Sequence, residues 1–537
     1  MKLQRNYIFP IIAVCIAIFF INLDAIYINI MEARNFITAR EMLNDGNWIF
    51  TTMNAEPRYE KPPLPTWLTA VSMFIFGMEN FFALRLPAAL STLLLVISNY
   101  FLIIKLTGQK KFAWIASLIL MTSFYIIFSG RNGQWDIFAH AFILPGIYFL
   151  YLLLTSEKRI YKNTVIAAVF IGFSFLSKGP VSHYALLLPF LIAFGAVYRF
   201  RAIRGKWKAI LLLLFLTIII SGWWNLYVYL FDTRAVAKIT EKETGRWLDY
   251  NVRPFYYYWS FFVHTGIWLI PAFVSLLYPY LKNKVLDKKV YKFTLFWTLT
   301  SVLLLSIIPE KKIRYLLPVF IPLAFNTAFY IEYLFRNFRL EMAKKEAWIV
   351  YFNFGLIALI GIIFPFAGYF YFGNEIAKFP FWFGLTALSL FSLGLGILFF
   401  LRRRNIEKVF YFSIGFIVSL IWFGLPMAQY INVNENYNSI TNVKPMLEET
   451  GLPLYEFRGF TPEIIWEYGE PIPVLHEEDA LPAEASFYLL AKEGMEESLR
   501  EEFEGYNLKK VESFDMNPVS STHKVRLYRD LYLLERQ

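Results

Sequence analysis

About thirteen apolar runs, most of them roughly 17–25 residues long, leave this chain few ways to fold, because that is the length of a helix crossing a bilayer. They fall near 7–28, 83–104, 111–129, 137–154, 164–177, 182–197, 208–230, 257–280, 292–308, 314–334, 348–371, 382–401 and 409–428. The runs at 164–177 and 182–197 are the shortest. Composition agrees: of 537 residues 57% are hydrophobic, 20% aromatic and 17% charged, against about 25% charged in soluble domains. The expected class is an α-helical polytopic membrane protein. Its 56 Phe, 34 Tyr and 15 Trp suit lipid contact and aromatic belts at the two interfaces. The first run follows Lys2 and Arg5 as in a signal peptide, but it is too long for such a core and has no clear small-residue cleavage site. It is expected to stay as an anchor.

Charge placement supplies the topology. With the N-terminus cytoplasmic, the loops Lys105–Lys111, Glu157–Lys162, Arg199–Lys208, Lys282–Lys292, Arg336–Lys345 and Arg402–Lys408 are all cytoplasmic and all rich in Lys and Arg. The net charge of +11 is therefore largely a topology signal, and no nucleic-acid partner is expected. The loop Glu310-Lys311-Lys312-Ile313-Arg314 breaks the pattern: it is basic yet falls outside, as a loop holding an anionic ligand would. The single cysteine, Cys15, excludes an intramolecular disulfide and a multi-cysteine metal site.

The densest polar insert is Met31–Trp67, in the first external loop, residues 29–82. Ionisable residues beside many spans are costly and mark sites. Here Glu32 with Arg34, and Glu60 with Lys61, pair carboxylates with cations, which suits phosphate binding and hydroxyl activation. The same face collects Arg131–Asp136, Lys178-Gly179-Pro180, Glu241–Arg253 and the Lys311–Tyr315 loop. Interfacial anchoring explains any one of these segments; all five together point to one extracytoplasmic site. Ala33–Leu43 reads as a helix lying in the interface, with packing beneath the external domain as the alternative. Pro62-Pro63 is expected to hold the chain extended beyond Lys61.

From about residue 431 the spans stop and Glu becomes frequent. β-like runs at Pro453–Phe457, Ile472–Leu475, Ser486–Ala491 and Val525–Leu534 alternate with helical stretches near Pro462–Tyr468 and Met495–Tyr506. Residues 431–537 should form a small extracytoplasmic α/β domain after a membrane domain of residues 1–430. His476 beside Glu477, Glu478 and Asp479 reads as a solvated acidic loop.

The first loop also carries a resemblance. Glu32-Ala33-Arg34, Ala39-Arg40-Glu41-Met42-Leu43, Gly46-Asn47-Trp48 and Tyr59-Glu60-Lys61-Pro62-Pro63-Leu64 resemble the aminoarabinose-transferase family. That family is similar to the protein O-mannosyltransferases, both being GT-C glycosyltransferases that use polyprenyl-phosphate sugars. Arg85-Leu86-Pro87, Phe175–Pro180 and Tyr315-Leu316-Leu317-Pro318 extend the match. The resemblance implies an inverting hexosyl or pentosyl transferase of the plasma (inner) membrane. It implies a polyprenyl-phosphate sugar donor and, as acceptor, lipid A or lipopolysaccharide, or a protein hydroxyl. It also implies that Glu60 and Lys61 contribute to metal and lipid-phosphate binding. Two departures stand out: the family's catalytic Asp is replaced by Met31, leaving Glu32, and a metal-holding His falls where Asn251 stands.

Beside that, the residues give their own chemistry. Arg34, Lys61, Arg253, Lys311, Lys312 and Arg314, with Tyr315, are candidates to hold a donor phosphate and its developing charge. Glu32 leads and Asp136 follows as general base, with Asp24 a weaker candidate. A cofactor, if any, would be a divalent ion held by carboxylates, Glu60 first among them. A transporter or flippase is the alternative class, but it would place charges near the midplane in repeated halves. Here they cluster at one face and no internal repeat is visible.

Overall fold

The computed structural model describes residues 6–200, 205–339, 342–476, 481–521 and 523–537. Lys2, Arg5, residues 201–204 of the third basic loop, and Glu477, Glu478 and Asp479 lie outside the described residues. Among the described residues nine helices are long and apolar enough to cross a membrane. They are Phe81–Thr107, Asp136–Thr155, Ile160–Lys178, Trp207–Phe231, Lys288–Ile307, Ile313–Asn337, Lys344–Lys378, Pro380–Arg402 and Ile406–Gln429. Each coincides with an expected run. The other four expected runs are not single long helices. Residues 8–19 form a helix of only 12 residues, and His183–Tyr198 is likewise short. The run at 111–129 is a pair, Lys110–Met121 and Phe124–Gly130, bent by 70°. At the bend the Thr122 and Ser123 hydroxyls donate back to Leu118 O and Ile119 O, a contact that bends helices. The run at 257–280 breaks into short turns, because Gly266 adopts φ +69° and prolines stand at 254, 271 and 279.

The basic loops are laced together at one end of the bundle. Lys111 pairs with Glu407 (2.8 Å), Lys206 with Glu157 (3.0 Å) and Lys284 with Glu346 (2.6 Å). The opposite end carries the first loop. There, after α1 (Ile8–Phe19) comes α2 (Ile30–Asn44), started by a reciprocal cap. The Asn29 side chain accepts from the Met31 and Glu32 amides while Glu32 accepts from the Asn29 amide, satisfying donors that a helix start leaves bare. A two-stranded hairpin, β1 (Thr52–Met53) and β2 (Glu56–Pro57), follows. Next comes α3 (Leu64–Phe76), a helix the apolar-run reading did not resolve. Pro63 adopts φ −85°, ψ −10°, so the chain turns into α3 directly rather than staying extended beyond Lys61.

The C-terminal residues form a five-stranded sheet in the order β4-β3-β5-β7-β6, from β3 (Leu454–Phe457), β4 (Val474–Leu475), β5 (Ser486–Ala491), β6 (Tyr506–Asp515) and β7 (Tyr528–Arg536). β3 runs parallel to β4 and β5, whereas β7 is antiparallel to β5 and β6. The longest strand, β6, falls where the sequence reads as helical or undefined. Its exposed stretch of Lys509, Lys510 and Val511 hides the period-2 pattern.

Helix α2 is the joint between the two parts. Ile37 belongs to the core of the sheet domain together with Ile440, Ile464, Ile465 and Leu531. Arg40 donates to the carbonyls of Ile465 (3.0 Å) and Trp466 (3.1 Å). The helix is thus buried beneath the domain instead of lying open in the interface. The contact also puts the first loop and the sheet domain on the same side of the membrane.

The hairpin turn contains a local conflict. Asn54 and Ala55 have φ +60° and +61°, as a two-residue turn between right-twisted strands requires. Asn tolerates this, but Ala has a Cβ penalty of about 1 kcal/mol there. Ala55→Gly should raise stability by about 0.5–1 kcal/mol, read as a higher melting temperature of the detergent-solubilised protein.

Candidate active site

The helix ends beneath the sheet domain bring six chemically capable side chains together: Glu60, Lys61, Asp136, Lys178, Arg314 and Tyr315. Asp136 opens α7 (Asp136–Thr155), and Lys178 closes α8 (Ile160–Lys178), counting Phe81–Thr107 as α4 and the bent pair as α5 and α6. The two form a buried ion pair. Lys178 also sits over the Tyr315 ring, 5.4 Å from its centroid. Arg314 acts electrostatically on both members of the pair, and Lys61 acts on both as well. One turn below Asp136, His140 meets the Ser182 hydroxyl at 2.9 Å, both buried.

Lys61 faces this pair from the first loop and is 4.0 Å from Glu243. Burial lowers its pKa from the ordinary lysine value, against the opposing pull of Glu243, Glu60 and Asp136. The loop is aimed by contacts on both sides of Lys61. Arg58 is buried and donates to Arg34 O (3.0 Å) and Thr38 Oγ1 (2.8 Å), with its guanidinium 4.5 Å above the Trp135 ring. Burial brings its pKa down to about 10, so it remains charged at neutral pH. Tyr59 donates to Asp232 Oδ2 (2.7 Å) at the end of α10, with α9 as Leu188–Tyr198 and α10 as Trp207–Phe231.

Other expected residues are placed differently. Glu32 is fully buried and does not pair with Arg34. Its partners are Arg85 Nε (2.7 Å) and Nη2 (3.0 Å), the Gly133 amide (2.9 Å) and the Asn29 side chain (2.8 Å). A carboxylate accepting that many bonds inside the protein is built as a fastener. Lys311 is buried with its ammonium turned inward to Arg253 O (3.0 Å) and Ile308 O (2.6 Å), bracing two loops. Arg253 is exposed and joins through its backbone to Pro309 O (3.2 Å). Lys312 pairs with Glu310 at 2.5 Å and lies over Tyr250 at the rim. Arg34 is half-buried, within electrostatic range of Arg58. Asp24 is exposed. Sequence reasoning places Lys178 on the site's face without giving it a role, reaches Arg85 only through the resemblance, and does not single out Arg58. A lysine ending an otherwise apolar helix was the available signal for the first.

The donor set does not suit a hard divalent ion. Among the described residues no three His, Cys, Asp or Glu side chains converge. Asp136 is taken by Lys178, leaving Glu60, whose buried Oε2 has no hydrogen-bond partner. Six or more oxygen ligands, the usual demand of such ions, are not assembled.

Comparison with known proteins bears on the fold and the sequence as a whole. The profile of the dolichyl-phosphate-mannose-protein mannosyltransferase family matches residues 60–224. An undecaprenyl phosphate-alpha-4-amino-4-deoxy-L-arabinose arabinosyl transferase of Pectobacterium atrosepticum is 25% identical over 466 residues, 81% of this chain and 78% of that protein. Its namesake from Proteus mirabilis is 28% identical over 347 residues, covering 62% and 60%. An uncharacterised Aquifex aeolicus protein is 28% identical over 307 residues, covering 55% of this chain. The match spans 58% of that Aquifex protein. The crystal structure of ArnT from Cupriavidus metallidurans in the apo state superposes with TM-score 0.72 at 17% identity, over 98% of this chain and 97% of that one. The fold is that of the GT-C membrane glycosyltransferases. By sequence the chain is similar to glycosyltransferases of the aminoarabinose-transferase and protein O-mannosyltransferase type.

The placement of Glu32 yields a stability prediction. Glu32→Gln leaves Arg85 charged and buried without its counter-ion, a change that typically costs about 3–5 kcal/mol. A marked fall in melting temperature or loss of folded protein is expected. An unchanged melting temperature with lost turnover would instead mark Glu32 as a reacting group.

Proposed function

We propose that this protein moves a sugar from a polyprenyl-phosphate donor to an extracytoplasmic acceptor, with the N-terminus in the cytoplasm and the sheet domain outside the plasma (inner) membrane. The observation that carries the reading is the grouping of Lys61, Lys178 and Arg314 around Asp136 at the membrane end beneath the sheet domain. A phosphate on a lipid tail would present its charge at that depth. The relatives named for undecaprenyl phosphate-linked arabinose support it, as does the ArnT structure described as bound to undecaprenyl phosphate (TM-score 0.70, 16% identity).

In the reaction proposed, an acceptor oxygen bonds to the anomeric carbon from the face opposite the phosphate. The bond from that carbon to the phosphate oxygen breaks, and polyprenyl phosphate leaves with the electron pair. Lys61 and Arg314 hold the phosphate and meet its growing charge, Tyr315 flanks it, and Lys312 guides the headgroup from the rim. A glycolipid acceptor of the lipid A or lipopolysaccharide kind is preferred. If it presents a phosphate, that oxygen is already ionised and needs no base. A protein hydroxyl is the second reading, favoured by the mannosyltransferase profile at 60–224; it would need Asp136 released from Lys178 to take the proton.

Lys61→Ala tests the phosphate role. Turnover should fall by about 10²–10³ with the melting temperature unchanged, measured as release of polyprenyl phosphate from a polyprenyl-phosphate sugar. Near-normal release would overturn the assignment. Asp136→Asn separates the acceptors. A hydroxyl acceptor predicts a loss of about 10²–10⁴ in turnover at saturating donor, whereas a phosphate acceptor predicts a milder change.

A further inference from the structure

Buried polar atoms nearly always find a hydrogen-bond partner, so a cluster of bare ones calls for an explanation. Beside the Asp136–Lys178 pair several occur on adjoining segments: Asn132 Oδ1, Gln134 Nε2 and Trp135 Nε1 in the loop entering α7, Glu60 Oε2 in the first loop, and Arg314 Nε. Asn132, Gln134 and Trp135 are 6%, 3% and 1% exposed, so bulk water does not serve them.

The loop that carries them is not slack. The Gly133 amide donates to Glu32 (2.9 Å), its carbonyl accepts from Asn35 Nδ2 (2.8 Å), and a Cβ at this position would meet the Phe36 ring at 2.5 Å. Pinning the glycine fixes the neighbours on either side. The Arg58 guanidinium covers one face of Trp135 at 4.5 Å; that face is closed to stacking, and the indole offers its N–H edge. Arg58 and Lys61 are both electrostatic neighbours of Glu60, and Lys61 is also a neighbour of Asp136. Trp135 and Glu60 are therefore linked through Arg58, which lies over the one and is an electrostatic neighbour of the other.

We propose that Gln134, Trp135 and Glu60 form a sugar subsite beside the phosphate-holding cations, with the amide and indole N–H groups donating to sugar oxygens and the Glu60 carboxylate accepting from a sugar hydroxyl or amine. The subsite rests on the donor reading above and adds to it the residues that recognise the sugar. Neutral N–H donors beside a carboxylate fit a polyhydroxylated ring, whereas a bare phosphate is served by the cations alone.

The test uses the purified full chain with three probes: undecaprenyl phosphate, and its esters of 4-amino-4-deoxy-L-arabinose and of mannose. The native protein should bind at least one ester about tenfold more tightly than undecaprenyl phosphate. Trp135→Phe keeps the ring beneath Arg58 and removes only the N–H; Gln134→Leu removes the amide. Each should remove about tenfold of the preferred ester's affinity while shifting undecaprenyl phosphate less than twofold. Equal weakening of all three probes, or no weakening of the esters, would overturn the subsite. If the native protein fails to bind undecaprenyl phosphate itself, the donor reading falls and takes the subsite with it. Folding is checked by melting temperature, and Gln134→Leu carries the test alone if Trp135→Phe does not fold.

Discussion

The end of the bundle beneath the sheet domain is organised around one buried ion pair, Glu32 with Arg85. It joins α2 to α4, and its remaining hydrogen-bonding capacity reaches further. Arg85 Nη2 donates to Tyr27 O (3.3 Å), in the chain between α1 and α2. Glu32 takes the Gly133 amide and so positions the loop leading to Asp136. Arg131, from the same loop, donates to Ile18 O (2.6 Å) and Asn22 O (2.7 Å) at the exit of α1. A buried pair contributes little net stability compared with apolar packing, but losing one partner strands a charge. Such an element ties geometry together: four segments meet at the bonds that satisfy this one carboxylate and its arginine.

The sheet domain extends that specification to the first loop. Asn54, at the turn of the β1–β2 hairpin, donates to Ile472 O (2.7 Å) and accepts from Ile472 N (2.8 Å), pairing with the domain as a strand residue would. Glu41 holds the other side of the turn through Thr52 (2.6 Å) and the Asn54 amide (2.7 Å). After this hairpin, only Tyr59 and Glu60 separate Arg58, fixed between α2 and Trp135, from Lys61. The ammonium is thus aimed by backbone-level contacts with α2 and with the domain, as a site working by pre-set charge requires.

Sequence reasoning reached the nine long spans because a run of about 20 apolar residues has one stable solution in lipid. It found the first loop because ionisable residues stand out against that background. It missed what depends on partners distant in the chain. Glu32 and Arg34 share a helical segment and look like a pair, yet Arg85 is the partner, 53 positions away. Lys178 meets Asp136 across 42 positions, and neither spacing leaves a periodic trace. The other four expected runs are short or broken helices among the described residues, which hydropathy does not register because it is blind to the Gly266 kink and to the hydroxyl back-bonding at Thr122 and Ser123. The strand at 506–515 escaped for the opposite reason: an edge strand with charged residues outward lacks the alternation that betrays a half-buried one.

Met31 brings these threads together. At Met31, where the resemblance implies an acidic side chain, this chain has an apolar one, and the carboxylate beside it is already committed to Arg85. The remaining acid, Asp136, is neutralised by Lys178. Glu60 keeps a buried carboxylate oxygen without a hydrogen-bond partner, and it stands beside Lys61 in the chain. Such a site is rich in cations and poor in bases. On the reading proposed above, its chemistry would match an acceptor that arrives ionised better than an alcohol awaiting deprotonation. Rate enhancement would then come from orientation and from stabilising the departing phosphate, and the rigid fastening of α2, the hairpin and the α7 entry loop is the form that demand takes in the fold.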